Sequence, residues 1–188
     1  MLTQEHIAEL PIKLRRLQQP VIAAVNGPAY GGGFALALAC DIRVASPEAR
    51  FCSQFIKLGI GGCDIGISYT LPRLVGASRA FELLLTARTV GADEAAGIGI
   101  VSEVVGADRP VLDRALDLAA TICAYAPFGV AMTKEVMWSN LEVGSLQAGI
   151  DLENRTQILA SFTEDHPEAM GAFLEKRPPR WSAATPPT

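Results

Sequence analysis

The feature that most limits the folds open to this chain is the stretch from Pro20 to Ser46. It opens on a short, β-branched-rich apolar run, Val21 to Val25, which predicts a buried strand ended by Asn26-Gly27-Pro28. Three consecutive glycines follow at Gly31, Gly32 and Gly33. The apolar, Ala/Leu-rich run from Phe34 to Cys40 predicts a buried helix, Asp41 closes it, and Ile42 to Ala45 reads as a second strand. Strand, glycine turn, helix and strand in that order predict an α/β fold. A glycine run that opens a helix leaves backbone N–H groups without acceptors and lets another molecule approach the main chain, so it suits a phosphate or an oxyanion. The phosphate reading lacks support, because neither Gly-Lys-Ser/Thr nor the G-x-G-x-x-G spacing is present. A tight turn with close helix packing would use the same glycines.

Composition excludes several function classes. At 188 residues with 49% hydrophobic and 19% charged residues, the chain reads as one globular domain with a packed core. A net charge of −4 and a pI near 5.2, with no basic run, argue against a nucleic-acid partner. Cys40, Cys52, Cys63 and Cys123 show no C-x-x-C spacing and no signal peptide precedes them, so they read as reduced thiols of a cytoplasmic protein. No metal site and no membrane partner are expected, since no His, Cys and carboxylate cluster has ligand spacing. His6 and His166 read as surface histidines.

The remaining segments fall into two blocks. Residues 1–19 are polar and helix-compatible, with Pro11 as an interruption. After the second strand come a turn at Pro47-Glu48-Ala49-Arg50 and an extended segment from Phe51 to Phe55. A glycine-rich loop from Lys57 then leads into a helix, with Asp64 near its start. Asp64 suits a helix cap; it is also the best remaining candidate for a general acid or base, or for a nucleophile, with Ser68 and Tyr69 as possible supports or as helix residues facing the core. Residues 78–86 and 91–99 predict helices, and Ile100 to Val105 predicts a strand. From Arg109 the pattern is helical, near 109–125, 128–142, 145–163 and 165–177. This divides the chain into an α/β core over 1–106, a helical region over 107–178 and a Pro-rich tail over 179–188 that reads as disordered.

The run Ala23-Ala-Val-Asn-Gly-Pro-Ala-Tyr-Gly-Gly-Gly-Phe-Ala-Leu-Ala-Leu-Ala-Cys-Asp-Ile42 resembles the signature of the crotonase (enoyl-CoA hydratase/isomerase) superfamily, and the resemblance covers about residues 5 to 180. It implies the later part of a crotonase-like spiral of strand-strand-helix units, followed by a C-terminal helical oligomerisation region. By the same resemblance, the Gly32 N–H is one of two donors to the thioester oxygen of an acyl-CoA as it becomes an enolate. Such a donor contributes about 10²–10³ in rate. Gly31, Gly33 and Phe55 would line the substrate. Phe173 and Lys176, in Ala172-Phe-Leu-Glu-Lys-Arg177, would reach a neighbouring acyl-CoA site, although a cationic helix end favoured by the dipole explains Lys176 equally well. The partners implied are an acyl-CoA thioester and further copies of the chain in a trimer or a dimer of trimers. No separate cofactor is implied, because coenzyme A is part of the substrate.

Two departures from the family pattern shape the functional expectation. The family's two glutamates map to Ala35 and Phe55, neither of which transfers a proton. A further hundred or so residues, with the first strands and the other oxyanion donor, precede the corresponding helix in the family. Two functions are therefore open: hydration or isomerisation of an enoyl-CoA, with Asp64 moving the proton, or a degenerate relative that keeps the fold and oligomer surface and binds CoA esters weakly or not at all. The Gly-x-Asp sequence at residues 62–64 is also similar to the chlorobenzoyl-CoA dehalogenase branch, in which an aspartate attacks the acyl ring.

Overall fold

A computed structural model describes residues 2–182. The leader forms α1 (Leu2–Ala8) and α2 (Leu10–Arg16), with Pro11 in the first turn of α2, where a missing N–H costs no helical bond. Next come β1 (Ile22–Val25), β2 (Pro28–Tyr30), α3 (Gly32–Ala39), β3 (Ile42–Ala45) and β4 (Arg50–Cys52). A 3-10 turn at Phe55–Leu58 leads to α4 (Ile67–Val75) and α5 (Ala77–Thr86). Then follow β5 (Val90–Gly91), α6 (Ala92–Gly97) and β6 (Glu103–Val104).

These strands build two three-stranded sheets, ordered β1-β3-β6 and β2-β4-β5. The first is parallel throughout, with Ile22 opposite Ile42 and Val44 opposite Glu103. In the second, β2 and β4 run parallel and β5 returns antiparallel to β4. The strand–helix–strand unit read from the sequence is β1-α3-β3, a crossover between two parallel neighbours. Asp41 fixes its closure: its carboxylate accepts the Val21 N–H at 2.7 Å while its own N–H donates to the Val21 carbonyl at 2.9 Å.

Phe34 and Leu38 of α3 sink into a core with Phe51, Ile67, Leu71 and Ile100, and the Phe34 and Phe51 rings meet at 5.5 Å between centroids. Arg43 lies beneath that core, its guanidinium donating to the Ile100 carbonyl at 2.7 Å and the Cys40 carbonyl at 2.6 Å. Burial pushes the Arg43 pKa down, against the pull of Cys40 and Asp41. The donation to Cys40, the C-cap of α3, places a cation where the helix dipole favours one.

The chain divides into two compact units, one up to Ala119 and the other from Ala120, with the division falling inside α7 (Val111–Cys123). The larger part of α7, up to Ala119, belongs to the first unit, where Val111 and Ala115 join Val44 and Val105 in a small second core. The second unit contains α8 (Pro127–Asn140), α9 (Leu146–Ser161) and α10 (Asp165–Glu175). Ser145 caps α9 by accepting the Ala148 N–H at 3.4 Å. Gly149 lets α8 approach α9 closely, since a Cβ there would stand 3.4 Å from the Asn140 amide. Arg180, Trp181 and Ser182 fall in the stretch expected to be disordered, yet each is tied down. The Arg180 N–H donates to Glu168 at 2.6 Å, the Trp181 indole to the Ala124 carbonyl at 2.8 Å, and the Ser182 N–H to Asp165 at 2.8 Å. The rest of that stretch, 183–188, lies outside the described residues.

Other expectations shift locally. The helix after the glycines begins two residues early, at Gly32. The strand expected over 100–105 shortens to Glu103–Val104, although Ile100 and Val101 are buried. The extended segment after the turn stops at Cys52, and Phe55 instead opens the 3-10 turn. Among the described residues no single helix is long and apolar enough to cross a membrane.

Candidate active site

The glycine run is where the first unit places exposed main-chain donors. Gly31 is the N-cap of α3 with φ at 52°, a conformation that glycine adopts without strain. Its N–H donates to the Cys52 carbonyl at 2.9 Å, which ties the turn to the end of β4, and its carbonyl receives the Ala35 N–H at 3.0 Å. The amides of Gly32 and Gly33 fall in the first turn of α3, where a helix offers no internal acceptor. They point out from the positive end of the helix dipole, a position suited to an anionic oxygen.

Two side chains close on this turn from other loops. A Cβ on Gly31 would meet the Phe55 ring at 3.5 Å, and one on Gly32 would meet Ile65 Cδ1 at 3.2 Å. Phe55 is 7% exposed and Ile65 is 8% exposed, so both are core residues as well as walls of the turn. Of the residues singled out from the sequence, Gly31, Gly32, Gly33 and Phe55 are thus brought together, whereas Asp64 is joined to them only through the chain, as the residue before Ile65. Ile65 itself, and Gln54 beside Gly31, had no signal in the sequence, because an apolar residue and a glutamine in loops carry no mark of this placement.

Asp64 does not act as the helix cap expected of it. The N-cap of α4 is Gly66, in the left-handed conformation, and no side chain caps the helix. The Asp64 carboxylate instead accepts the Ile65 N–H at 2.8 Å and the Gln4 side-chain amide at 2.7 Å. It is half-buried, and this bond joins α1 to the loop. Ser68 is exposed and does not face the core, whereas Tyr69 is half-buried with the Arg73 guanidinium 3.5 Å from its ring centroid. The buried residue of that turn is Thr70.

Ala35 is 1% exposed and lies with Phe55 in the apolar core, so neither of these two positions brings a titratable group to the glycines. Phe173 and Lys176 belong to the second unit. Phe173 is exposed on α10, and Lys176 is its left-handed C-cap, donating its N–H to the Phe173 carbonyl at 3.2 Å. A separate open cleft of about 630 Å³ lies at the carboxyl ends of β1, β3 and β6, lined by Asn26, Ser46, Glu48 and Asp108 among others. Among the described residues no three His, Cys, Asp or Glu side chains gather as a metal site.

The architecture is that of the crotonase superfamily. A solved probable enoyl-CoA hydratase/isomerase from Mycobacterium abscessus superposes with a TM-score of 0.88 at 42% identity, covering 94% of this chain and 67% of that one. An enoyl-CoA hydratase from Bacillus anthracis superposes at 0.89 with 33% identity, covering 97% and 71%. The enoyl-CoA hydratase/isomerase family model matches residues 1–184, and the chain belongs to that family. A probable enoyl-CoA hydratase of Mycobacterium leprae is 46% identical over 175 residues, which cover 93% of this chain and 59% of the relative. The chain thus spans about three-fifths of the length of this relative and of a probable enoyl-CoA hydratase of Mycobacterium tuberculosis.

Proposed function

We propose that the protein acts on acyl-CoA thioesters, with the Gly32 N–H holding the thioester oxygen as negative charge gathers on it. One observation carries this reading: the first turn of α3 offers main-chain donors between the walls formed by Phe55 and Ile65, within a chain of the enoyl-CoA hydratase/isomerase family. Binding at that amide favours the enolate over the neutral carbonyl, which lowers the barrier to reaction at the α- and β-carbons. Gly31 and Gly33 shape the approach, and coenzyme A enters as part of the substrate with no separate cofactor. In this reading Asp64, one residue from Ile65 and bound by Gln4, takes the part of the general acid or base. Phe173 and Lys176 serve a neighbouring copy in a cytoplasmic trimer or dimer of trimers. The apolar side chains that the second unit exposes, with Leu146 82% and Phe162 84% exposed, support self-association.

A second reading is favoured by Ala35 and Phe55, which are buried in the apolar core and supply no acid or base to the glycine turn. On this reading the protein binds acyl-CoA esters and turns them over slowly or not at all. Each absent acid/base group removes about 10²–10⁴ in rate. Following the loss of conjugated absorbance of but-2-enoyl-CoA separates the two. Turnover that falls at least tenfold in Asp64→Asn, with an unchanged urea midpoint, supports the enzyme. Turnover unaffected by Asp64→Asn removes Asp64 from the mechanism, and binding without turnover in the wild type supports the second reading.

A further inference from the structure

Among the described residues four non-glycine positions hold a positive φ: Gln54 at 49°, Ile65 at 50°, Ala87 at 45° and Lys176 at 54°. Ala87 and Lys176 are the C-caps of α5 and α10, where a left-handed residue closes a helix end. Gln54 and Ile65 close no helix, and both stand against the glycine turn: Gln54 Cβ would lie 3.9 Å from a Cβ on Gly31, and Ile65 Cδ1 3.2 Å from one on Gly32. Left-handed backbone is least tolerable for a β-branched residue, and strain of this kind persists where surrounding structure enforces it. Two features enforce it at Ile65. Its N–H is bound by the Asp64 carboxylate, and Gly66 after it is also left-handed, at 79°, before α4 begins. A further restraint acts upstream, where a Cβ on Gly62 would stand only 2.8 Å from the Leu84 carbonyl, so the loop lies hard against α5.

We propose that Ile65 is the specificity-determining residue beside the Gly32 amide, its Cδ1 methyl admitting acyl thioesters unbranched at the α-carbon and excluding those that carry an α-methyl group. This rests on the reading that the Gly32 N–H holds the thioester oxygen. The α-carbon is two bonds from that oxygen, so a methyl on it projects toward whatever lines the flank of the amide. Ile65 Cδ1 stands beside Gly32, 3.2 Å from where a Cβ on that glycine would lie, so the space next to the amide is limited by this methyl. Phe55 stands against Gly31 in the same way, so the glycine turn is walled by two buried apolar side chains, and neither has a polar group to reward a wider ligand.

The test measures binding of but-2-enoyl-CoA and its 2-methyl analogue to the full chain by titration calorimetry, for wild type, Ile65→Val and Ile65→Ala. Ile65→Val removes Cδ1 and keeps the β-branch, so it isolates the atom in question and decides the matter if Ile65→Ala does not fold. The wild type is expected to prefer the unbranched thioester by about tenfold or more, as one misplaced methyl in an apolar site commonly does. Ile65→Val should reduce that preference to about threefold, and Ile65→Ala should bring it near unity by tighter binding of the branched ligand. An unchanged preference in both variants, with the wild type still binding the unbranched ligand, overturns the role of Ile65 alone. A wild type that binds neither thioester overturns the Gly32 reading, and this inference with it.

Discussion

The two units bury their apolar residues very differently. The unit up to Ala119 encloses Phe34, Leu38, Phe51, Ile67, Leu71 and Ile100 almost completely, whereas beyond Ala120 the one buried apolar residue among those described is Ala172. Both have well-formed secondary structure, so the contrast is not one of propensity. In the first unit two small sheets and the helices around them bury side chains against each other, and the resulting core can hold a β-branched residue such as Ile65 in a costly conformation. The second unit rests on helix–helix approach at Gly149, on caps, and on ion pairs around Glu168 and Arg177. A unit with an enclosed core thus carries the glycine turn, while a unit with apolar side chains exposed carries Phe173 and Lys176.

The sharpest way to break this contrast is to hollow out the first unit. Phe51→Ala removes a fully buried ring that meets Phe34 and should cost about 3–5 kcal/mol in urea unfolding. A loss below about 1 kcal/mol would show that this core is not what holds the unit. In the second unit the double substitution Leu146→Ser and Phe162→Ser should leave unfolding within about 0.5 kcal/mol per site, since both side chains are exposed. It should also shift sedimentation of the protein toward the monomer. An oligomer that survives intact would place the association surface elsewhere.

The smallest effect expected is an electrostatic one at the C-terminal strap. The Arg177 guanidinium, which donates to Glu168 at 2.6 Å and 3.0 Å, and the Arg180 N–H hold the Glu168 pKa at about 2, below the ordinary 4.5. Because the folded value is the lower one, the carboxylate steadies the strap fully above about pH 4.5, and that contribution is lost as the pH falls through about 2. The strap carries Trp181, so tryptophan fluorescence should change over that range in the wild type and be flat there in Glu168→Gln. A fluorescence change of equal size in Glu168→Gln would assign the transition to other carboxylates.

What was legible in the sequence follows the same division between local and distant causes. The run from Val21 to Ala45 announced β1, α3 and β3 because its periodicity, glycines and apolar content act within a few residues. The short strands β2 and β5, of three and two residues, were not announced, since they exist only through pairing with β4. Asp64 beside a helix start suggested a cap, but Gly66 occupies that position and the carboxylate is claimed by Gln4, sixty residues away. Ile65 was unreadable for the same reason: its conformation is imposed by what surrounds it. Residues 180–182 read as disordered from their proline-rich setting, and they are ordered by acceptors on Ala124, Asp165 and Glu168.

The central claim is that the Gly32 N–H binds the oxygen of an acyl-CoA thioester as it takes on enolate character. Gly32 is the first residue of α3, where proline is tolerated because its missing N–H serves no helical bond, so Gly32→Pro deletes the proposed donor with little cost to the helix. Gly32→Ala keeps the donor and adds a Cβ against Ile65, and so controls for crowding. The measurement is a titration of each protein with acetoacetyl-CoA, read by the absorbance of its enolate. The wild type and, more weakly, Gly32→Ala should develop that absorbance, and Gly32→Pro should not, although it melts at the same temperature within a few degrees. Enolate absorbance of wild-type strength in a folded Gly32→Pro would contradict the account, because the oxygen would then be held by some other group.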